Sequence, residues 1–173
     1  MLFTINYNWG YNSKMNKKAL FFDRDNTLII DTNYMYKLED LKYFPDTIEE
    51  LKRFQKAGYL LFIITNQSGV GRGYFSLKQM HAFNNNMLKD FTARGVNFTD
   101  LAFCPHSPED NCDCRKPHPK LINELCDKYQ IDKSKSYMIG DKKSDVEAGE
   151  NAGMTGILFE SDLRAVAKII LES

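Results

Sequence analysis

Three aspartates occupy positions from which side chains of this type can bind a metal ion and phosphate. Asp23 directly follows the apolar run 19–22, Asp25 comes two residues later, and Asp141 directly follows the apolar run 136–140. A single Asp-x-Asp pair is often only a solvated turn. Three carboxylates converging on one crevice, however, repel one another and raise one another's pKa unless a cation lies among them. Hard oxygen ligands with room for water and phosphate suit Mg²⁺, so the pattern predicts a magnesium site.

The same stretches contain the groups needed for phosphoryl transfer. A carboxylate such as Asp23 can attack phosphorus and form an aspartyl-phosphate. A second carboxylate, Asp25, can protonate the leaving oxygen and then deprotonate the attacking water. Thr65 and Lys116 supply a hydroxyl and a positive charge for the phosphoryl oxygens. Backbone N–H groups that can bind these oxygens at or near helix starts belong to two turns, at 24–27 and at Asn66, Gln67 and Ser68.

A second cluster of metal-binding residues lies within one short stretch. It contains three cysteines and one histidine, Cys104, His106, Cys112 and Cys114. Three thiolates and one imidazole form a closed tetrahedral set for structural Zn²⁺. A chance cluster is the alternative, but the histidine and the flanking prolines favour zinc, which would fix the loop 107–111 and direct Arg115 and Lys116 at the crevice. The fourth cysteine, Cys126, falls in a helical pattern and is predicted to be a buried apolar residue.

Short apolar runs alternate with amphipathic patterns along the chain. The predicted strands are 19–22, 59–64, 101–104, 136–140 and 156–159, and helices are predicted around 48–54, after Ser76, around 121–129 and over 163–170. Continuous apolar strands separated by helices indicate a parallel sheet covered on both faces. We therefore predict one doubly wound α/β domain with a mainly parallel sheet over residues 19–173, preceded by a flexible extension, 1–18. Ligands bind beyond the carboxyl ends of such strands, where the candidate residues stand.

Length and composition exclude several classes of protein. The chain has 173 residues, 23 basic and 23 acidic side chains, a net charge of zero and 43% hydrophobic residues, as is typical of a single globular domain. It contains no apolar run of 18 residues, so no membrane span is expected. The balanced charge disfavours a nucleic-acid partner. Without an export signal, and with cysteines that suit a reducing compartment, a cytoplasmic location is expected.

The motifs resemble those of a known superfamily. Asp23–Leu28 (DRDNTL), Thr65–Gly69 (TNQSG), Lys116 and Gly140–Asp141 are similar, in order, to the four signature motifs of the haloacid dehalogenase superfamily of phosphohydrolases. The resemblance spans about residues 19–159. It is closest to the D-glycero-D-manno-heptose 1,7-bisphosphate 7-phosphatases and the related histidinol-phosphatases, and the cysteine cluster is specific to that subgroup. It implies a Rossmann-like fold, and the intervals between the motifs are too short for a separate cap domain.

The resemblance also implies a role for each matching residue. Asp23 would be the nucleophile and Asp25 the general acid/base, with Mg²⁺ held by Asp23, the backbone carbonyl of Asp25 and Asp141. Thr65 and Lys116 would stabilise the transferring phosphoryl group. Residues 31–34 would form a substrate loop, and substrate contacts are expected at Asp31, Tyr34, Asn66, Gln67, Ser68, Arg72, Arg115 and Lys142. Arg72 can equally be a solvated loop residue, and Asp145 is expected to orient Lys116 or a metal-bound water.

One residue departs from the superfamily pattern. Asn26 stands where glycine is usual, at a position that tends to need an unusual backbone conformation. Asparagine is the non-glycine residue best able to adopt such a conformation. We expect Asn26 to be tolerated at some loss of rate.

The predicted function is Mg²⁺-dependent hydrolysis of a phosphorylated sugar by a monomeric enzyme. The leading substrate is D-glycero-D-manno-heptose 1,7-bisphosphate, cleaved at the 7-phosphate in nucleotide-activated heptose and lipopolysaccharide biosynthesis. Tyr34 and the loop 69–75, which contains Arg72, favour this substrate, whereas the five-residue gap between His106 and Cys112 resembles the histidinol-phosphatases. Histidinol phosphate is thus the alternative. A phosphate at a nucleic-acid end is disfavoured by the charge balance, and a non-catalytic zinc-stabilised module does not account for the clustered motifs.

Overall fold

Five parallel strands form a single sheet within the residues that the structure describes, 17–31 and 34–172 of the computed structural model. The strands are β1 (Ala19–Phe22), β2 (Leu60–Asn66), β3 (Asp100–Cys104), β4 (Tyr137–Gly140) and β5 (Thr155–Leu158). The helices are α1 (Thr47–Lys56), α2 (Ser68–Gly71), α3 (Leu77–Ala93), α4 (Lys120–Tyr129), α5 (Lys143–Ala152) and α6 (Leu163–Leu171). Almost all of the predicted extension 1–18 lies outside the described residues, and so do two positions of the predicted substrate loop 31–34, so the extension stays a prediction.

The strand order is β3-β2-β1-β4-β5, which puts β1 at the centre of the sheet. Leu20 pairs with Leu61 on one side and with Tyr137 on the other. The chain thus moves outward from β1 to β3 and then crosses back to β4. In open α/β sheets the crevice beyond the carboxyl ends of the strands, where the strand order reverses, is the usual ligand site. Here that crevice lies beyond β1 and β4, where Asp23 and Asp141 follow.

Alternate side chains of β1 enter two separate cores, one on each face of the sheet. Leu20 and Phe22 pack into a core completed by α1, α3 and α6. Ala19 and Phe21 face the other side, where α4 and α5 cover them. All four residues are fully buried. The period of two along a strand explains this division, and burial on both faces explains why the run is continuously apolar.

The predicted elements correspond closely to the structure, with two differences. Ser76 caps α3 in a reciprocal capping box with Gln79, and Gly58 adopts φ +86° after α1. Strand β2 extends through Thr65 and Asn66, which the apolar pattern excluded. Helices α2 and α5 were not predicted, because α5 buries small residues such as Ala148 that form no clear apolar stripe. No helix in the described part of the chain is long and apolar enough to cross a membrane.

Candidate active site and metal clusters

A buried chain of charges lies at the carboxyl edge of the sheet. The Nζ of Lys116 is 2.5 Å from Asp23 Oδ1 and 2.6 Å from Asp145 Oδ1, and it donates to the carbonyl of Ile64 at 2.8 Å. All three charged side chains are at least nine-tenths buried. Because buried ions are costly unless they are paired and hydrogen-bonded, this arrangement fixes the lysine and both carboxylates in one geometry.

The sheet itself brings these charges together. The N–H of Asp23 donates to the carbonyl of Ile139 at 2.8 Å, which ties the end of β1 to the end of β4. Gly140 then lets the first turn of α5 approach closely, since a Cβ there would lie 2.3 Å from the Cβ of Asp145. Asp145 accepts a further hydrogen bond from the N–H of Lys142. Its two oxygens are therefore used by Lys116 and by the helix start, as expected for a residue that orients Lys116.

The burial of these groups changes their protonation. Burial raises the pKa of Asp23 to about 7, against the opposing charge of Lys116. Burial alone would lower the pKa of Lys116, but the charges of Asp23 and Asp145 raise it above its ordinary value, so the lysine stays protonated. A single lysine thus faces two buried carboxylates. A cation beside Asp23 would offset its burial and hold it in the ionised form.

Asp141 completes a set of oxygens that fits such a cation. One carboxylate oxygen each from Asp23, Asp141 and Asp145 lie within 4.8 Å of one another. Burial raises the pKa of Asp141 above its ordinary value, and its buried Oδ1 has no hydrogen-bond partner among the described residues. An orphaned buried carboxylate oxygen beside a second carboxylate is the donor chemistry that Mg²⁺ takes. The residues present therefore fit the predicted magnesium ion.

The carboxylate of Asp25 is held from behind by two side chains. Arg24 donates to both of its oxygens at 2.8 and 2.9 Å, and Gln67 donates to Oδ2 at 2.9 Å. The same amide nitrogen of Gln67 donates to the hydroxyl of Thr65 at 2.8 Å. Thr65 is buried, with only 1% of its surface exposed. The predicted acid/base and the predicted phosphate-binding hydroxyl are thus joined by one amide.

Asn66 connects the end of β2 to the lysine segment. Its Oδ1 accepts from the N–H of Lys116 at 3.1 Å, and its Nδ2 donates to the carbonyl of the same residue at 3.3 Å. This reciprocal pair fixes the backbone from which the lysine side chain enters the site. The next residue back, Arg115, donates to the carbonyl of His106, and its side chain lines the crevice.

The crevice consists of two neighbouring cavities of about 220 and 290 Å³. The lining residues that they share are Asp25, Asn66, Ser68 and Lys142. The first cavity is also lined by Asp31, Tyr34, Gln67 and Gly69, and the second by Asp23, Pro108, Arg115, Lys116, Ser144 and Asp145. The structure therefore brings almost all of the predicted substrate residues to one place.

Arg72 is the exception among the predicted substrate residues. It lines neither cavity and lies 3.5 Å from Glu109, beside Tyr74. These contacts are those of a loop residue rather than of a group directed into the crevice. The N–H of Gly71 donates to the carbonyl of Pro105 at 2.9 Å, so the chain enters this loop beside the end of β3, where Glu109 can pair with Arg72.

Asn26 adopts the unusual conformation expected of it, with φ +58°. Its side-chain Oδ1 accepts a hydrogen bond from the N–H of Asp31 at 3.1 Å. A glycine would reach the same backbone region but could not make this bond. The departure from glycine therefore has a compensating contact at the start of the predicted substrate loop.

The cysteine cluster is compact and partly buried. The sulfur of Cys104 lies 3.4 Å from that of Cys112 and 3.0 Å from that of Cys114, and Nδ1 of His106 lies 3.3 Å from Cys114 Sγ. A tetrahedral ion bound to sulfurs at about 2.3 Å holds them about 3.8 Å apart, so the three sulfurs, now 3.0 to 3.6 Å apart, would move slightly outward to bind it. The four residues therefore fit a structural zinc ion. Cys126 lies apart from them and is 1% exposed, as predicted.

Three residues of the site went unidentified in the sequence. Arg24 contacts the predicted acid/base, and Pro108 and Ser144 line the second cavity. The position of Arg24 between two motif aspartates is a signal that could have indicated it. Pro108 and Ser144 reach the crevice only through the folding of their loops, and no local pattern marks them.

Comparisons with known proteins agree with this geometry. A family model described as HAD-hydrolase-like matches residues 113–170. D-glycero-beta-D-manno-heptose-1,7-bisphosphate 7-phosphatase of Helicobacter pylori (strain 26695) is 44% identical over 78% of this chain and 79% of its own length. D-glycero-alpha-D-manno-heptose-1,7-bisphosphate 7-phosphatase of Photorhabdus laumondii is 40% identical, over 79% of each chain.

A solved structure is similar over nearly the whole chain. It is D,D-heptose 1,7-bisphosphate phosphatase from B. bronchiseptica, complexed with magnesium and phosphate. The TM-score is 0.79 at 27% identity, covering 90% of this chain and 98% of that one. Identity of 40% or more to two curated relatives, together with this shared architecture, establishes the family. The chain belongs to the haloacid dehalogenase-like phosphatases, in the branch that includes the heptose-1,7-bisphosphate 7-phosphatases.

Proposed function

We propose that this protein hydrolyses a phosphate monoester through an aspartyl-phosphate formed on Asp23. The observation that carries the proposal is the buried contact of Asp23 with Lys116, on the wall of a crevice that Asp25 also lines. A nucleophilic carboxylate must be fixed in position and kept ionised. The lysine fixes Asp23 and favours its ionised form, and a bound cation would add to that effect. Asp145 shares the same lysine at the crevice, but its second oxygen accepts a hydrogen bond from the N–H of Lys142, as suits a residue that orients the lysine.

In the first step a carboxylate oxygen of Asp23 attacks phosphorus while the bond from phosphorus to the ester oxygen breaks. Asp25 in its protonated form gives its proton to the leaving alkoxide. Lys116 and the hydroxyl of Thr65 stabilise the charge on the phosphoryl oxygens. The alcohol then leaves through the open side of the crevice.

In the second step Asp25, now a carboxylate, takes a proton from a water molecule that attacks the aspartyl-phosphate. The bond between Asp23 and phosphorus breaks, inorganic phosphate leaves, and the protonated Asp25 is ready for another cycle. Asp23, Asp141 and the backbone carbonyl of Asp25 would hold Mg²⁺, which supplies positive charge for the phosphoryl oxygens. The orphaned Oδ1 of Asp141 supports this assignment.

The proposed substrate is D-glycero-D-manno-heptose 1,7-bisphosphate, cleaved at its 7-phosphate. Relatives at 40 and 44% identity are named for this reaction, and those names do not favour histidinol phosphate. The two joined cavities support it, because one can receive the reacting phosphate and the other the rest of the sugar. Arg115 and Lys142 line the crevice and are suited to the second phosphate.

Phosphate release from a panel of esters tests this proposal. The panel holds the α and β anomers of the heptose bisphosphate, histidinol phosphate, a 3′-phosphorylated oligonucleotide and p-nitrophenyl phosphate, each with and without Mg²⁺. We expect the highest kcat/KM for one heptose anomer and strict dependence on Mg²⁺. Higher kcat/KM for histidinol phosphate would replace the substrate, and no release from any ester would overturn the function.

A structural zinc ion belongs to the same proposal. Cys104, His106, Cys112 and Cys114 would hold it, and their mutual distances support a closed site with no open position. Reduced thiolates of this kind persist in the cytoplasm, where we also propose that the protein works. Metal analysis of protein purified without chelators should give one zinc per chain. A zinc content near zero would contradict the assignment.

We further propose that residues 19–173 act as one domain and as a monomer. Both halves of the sheet contribute to the crevice, so the described residues of one chain suffice to form it. Light scattering at working concentration should give the mass of one chain, and a truncation that begins at Lys17 should keep full activity. A dimer mass, or loss of activity on truncation, would refute this.

A further inference from the structure

Arg24 is a buried arginine in the middle of the first motif. It is 1% exposed and lies between the two aspartates to which the mechanism assigns the chemistry. Burying a guanidinium is costly unless all of its polar groups are bonded, and well-packed apolar residues often serve stability as well as a buried ion pair. Stability alone therefore gives a weak account of an arginine here.

Each nitrogen of the guanidinium has a hydrogen-bond partner. Nε donates to Oδ1 of Asp25 at 2.8 Å and Nη2 donates to Oδ2 at 2.9 Å, while Nη2 also lies 2.8 Å from Oδ1. Nη1 donates to Asn84 Oδ1 at 2.8 Å, and Nη2 also contacts Gln67 Oε1 at 3.1 Å and the carbonyl of Met35 at 3.4 Å. The guanidinium is thus anchored on α3 and directed at one carboxylate.

The packing around Arg24 makes this orientation rigid. The ring of Phe83 lies 4.9 Å from the guanidinium carbon, within cation–π distance. Asn84, the anchor on α3, is itself 3% exposed and donates to the sulfur of Met80 at 3.0 Å. A buried arginine that packs on Phe83 and has a hydrogen-bond partner at every nitrogen has little freedom to follow a moving carboxylate.

Asp25, by contrast, faces the crevice on its other side. A carboxylate offers about four lone-pair positions. Arg24 Nε uses one on Oδ1, and Arg24 Nη2 and Gln67 Nε2 use two on Oδ2. One position on Oδ1 receives no hydrogen bond from any other described side chain. It is the position from which a proton can be exchanged with the leaving oxygen or with water.

We propose that Arg24 is the positioning residue of the acid/base, holding Asp25 so that only one lone pair of Oδ1 serves in proton transfer. This inference rests on the proposed phosphatase function and concerns one step of it. The proton moves from Asp25 to the ester oxygen as its bond to phosphorus breaks, and later from water to the same lone pair. Arg24 touches neither substrate nor phosphoryl group and acts only through Asp25.

Esters that differ in leaving group separate this role from a structural one. An alkyl phosphate leaves as an alkoxide and needs a proton, whereas p-nitrophenolate leaves readily without one. The variants are Arg24→Gln and Arg24→Lys, with Asp25→Asn as the reference for a lost acid. Phe91→Leu, in the buried part of α3 away from the crevice, is the control for lower stability. kcat and KM are measured with both esters in Mg²⁺, alongside Tm.

We expect Arg24→Gln to lower kcat/KM for the alkyl phosphate about 10²-fold or more and for p-nitrophenyl phosphate less than about 10-fold. The comparison uses kcat/KM because it reports departure of the leaving group and not the later hydrolysis of the aspartyl-phosphate, which both esters share. Arg24→Lys keeps the charge without the fork and should give the same selectivity with a smaller loss. The double variant of Arg24→Gln and Asp25→Asn should be little less active than Asp25→Asn alone, because both changes remove the same function.

An equal loss with both esters, or no loss with either, would overturn the positioning role. If Arg24→Gln does not fold, the selectivity of Arg24→Lys decides by the same two outcomes. A wild-type protein that hydrolyses neither ester would instead overturn the proposed function, and with it this inference. The two failures are therefore distinguishable.

Discussion

The two candidate metal clusters are built in opposite ways. The carboxylate cluster joins Asp23 to Lys116, which are 93 residues apart, and is assembled from the ends of separate strands. The thiolate cluster lies within the single stretch 104–114. The carboxylate cluster lies at the wall of a crevice, and its buried carboxylates share a single lysine. The thiolate cluster directs four ligand atoms at one position. An open site that lacks positive charge for its carboxylates is suited to binding a metal ion and substrate. A closed site with four ligands is suited to holding a loop.

This difference predicts different consequences of damage. Changes at the carboxylate cluster should affect kcat more than stability, because its geometry is held by the whole sheet. Changes at the thiolate cluster should affect stability more than kcat, because its ligands hold only a loop. A variant that breaks this division would show that the two clusters are coupled through Arg115, which joins the cysteine loop to the crevice.

The largest effect is expected for Asp23→Asn. An amide cannot form the covalent intermediate, so phosphate release should fall by about 10⁴-fold or more. The side chain keeps its shape, and Tm should change by only a few degrees. Phosphate release and thermal unfolding are measured on the same preparation. Activity equal to wild type would remove Asp23 from the nucleophile's role.

Withdrawal of Mg²⁺ should have a similar effect on activity and separate the two metals. Dialysis against a metal-free buffer should abolish phosphate release, and added Mg²⁺ should restore it, since the site keeps its ligands. Zinc content is followed in the same samples and should not change, because a closed four-ligand site loses its ion slowly. Loss of zinc in parallel with activity would contradict the separation.

Asp145→Asn tests the support of Lys116. The amide keeps a hydrogen bond but removes a charge 2.6 Å from the ammonium, so we expect kcat to fall about 10- to 100-fold. Asp113→Asn is the matched control, since that aspartate pairs with Lys120 at an exposed position and should be neutral. An unchanged kcat for Asp145→Asn would mean that Asp23 and the Ile64 carbonyl suffice to place the lysine.

Cys112→Ser should affect stability first. Losing one of four zinc ligands is expected to cost about 2–3 kcal/mol of unfolding free energy, while kcat falls less than for Asp145→Asn. Denaturant unfolding and metal analysis measure the two quantities. Cys126→Ala is the matched control, because it removes a buried cysteine outside the cluster and should leave zinc in place. Full zinc content in Cys112→Ser would exclude Cys112 as a ligand.

The smallest effect is expected for Asn26→Gly. Glycine relieves about 1–2 kcal/mol of left-handed backbone strain, but it loses the bond to the Asp31 N–H and gains freedom in the unfolded chain. These terms nearly cancel, so stability should change by less than about 1 kcal/mol with a small rise in kcat. A fall in kcat would show that the asparagine bond matters more than the backbone.

The sequence was most informative where the signal is local. The cysteine spacing predicted the thiolate cluster, and the apolar runs predicted all five strands, because each signal lies within a few residues. The convergence of Asp23, Thr65 and Asp141 followed from the rule that ligands bind at the carboxyl ends of parallel strands. These predictions needed only the positions of the strands along the chain and their parallel direction.

Other features depend on three-dimensional contacts that the spacing of residues along the sequence does not indicate. Arg72 pairs with Glu109, a contact that the sequence did not indicate, and its predicted contact with substrate stays a prediction. The contact of Arg24 with Asn84 joins residues 60 apart and depends on where α3 crosses the sheet. Helix α5 was missed because its buried residues are small. A strand can be predicted from its own apolar run, whereas the direction of a side chain and the placement of a helix depend on tertiary packing.

The central position of β1 also determines when the enzyme can become active. Its neighbours are β2 and β4, and a hydrogen bond from Ala19 to Ser136 spans 117 residues. Long-range parallel pairing of this kind forms slowly, since loop closure precedes any gain from the contacts. A growing or refolding chain therefore has no working crevice until β4 has joined β1. Recovery of phosphatase activity should coincide with completion of the sheet, so an activity assay would report the time course of folding.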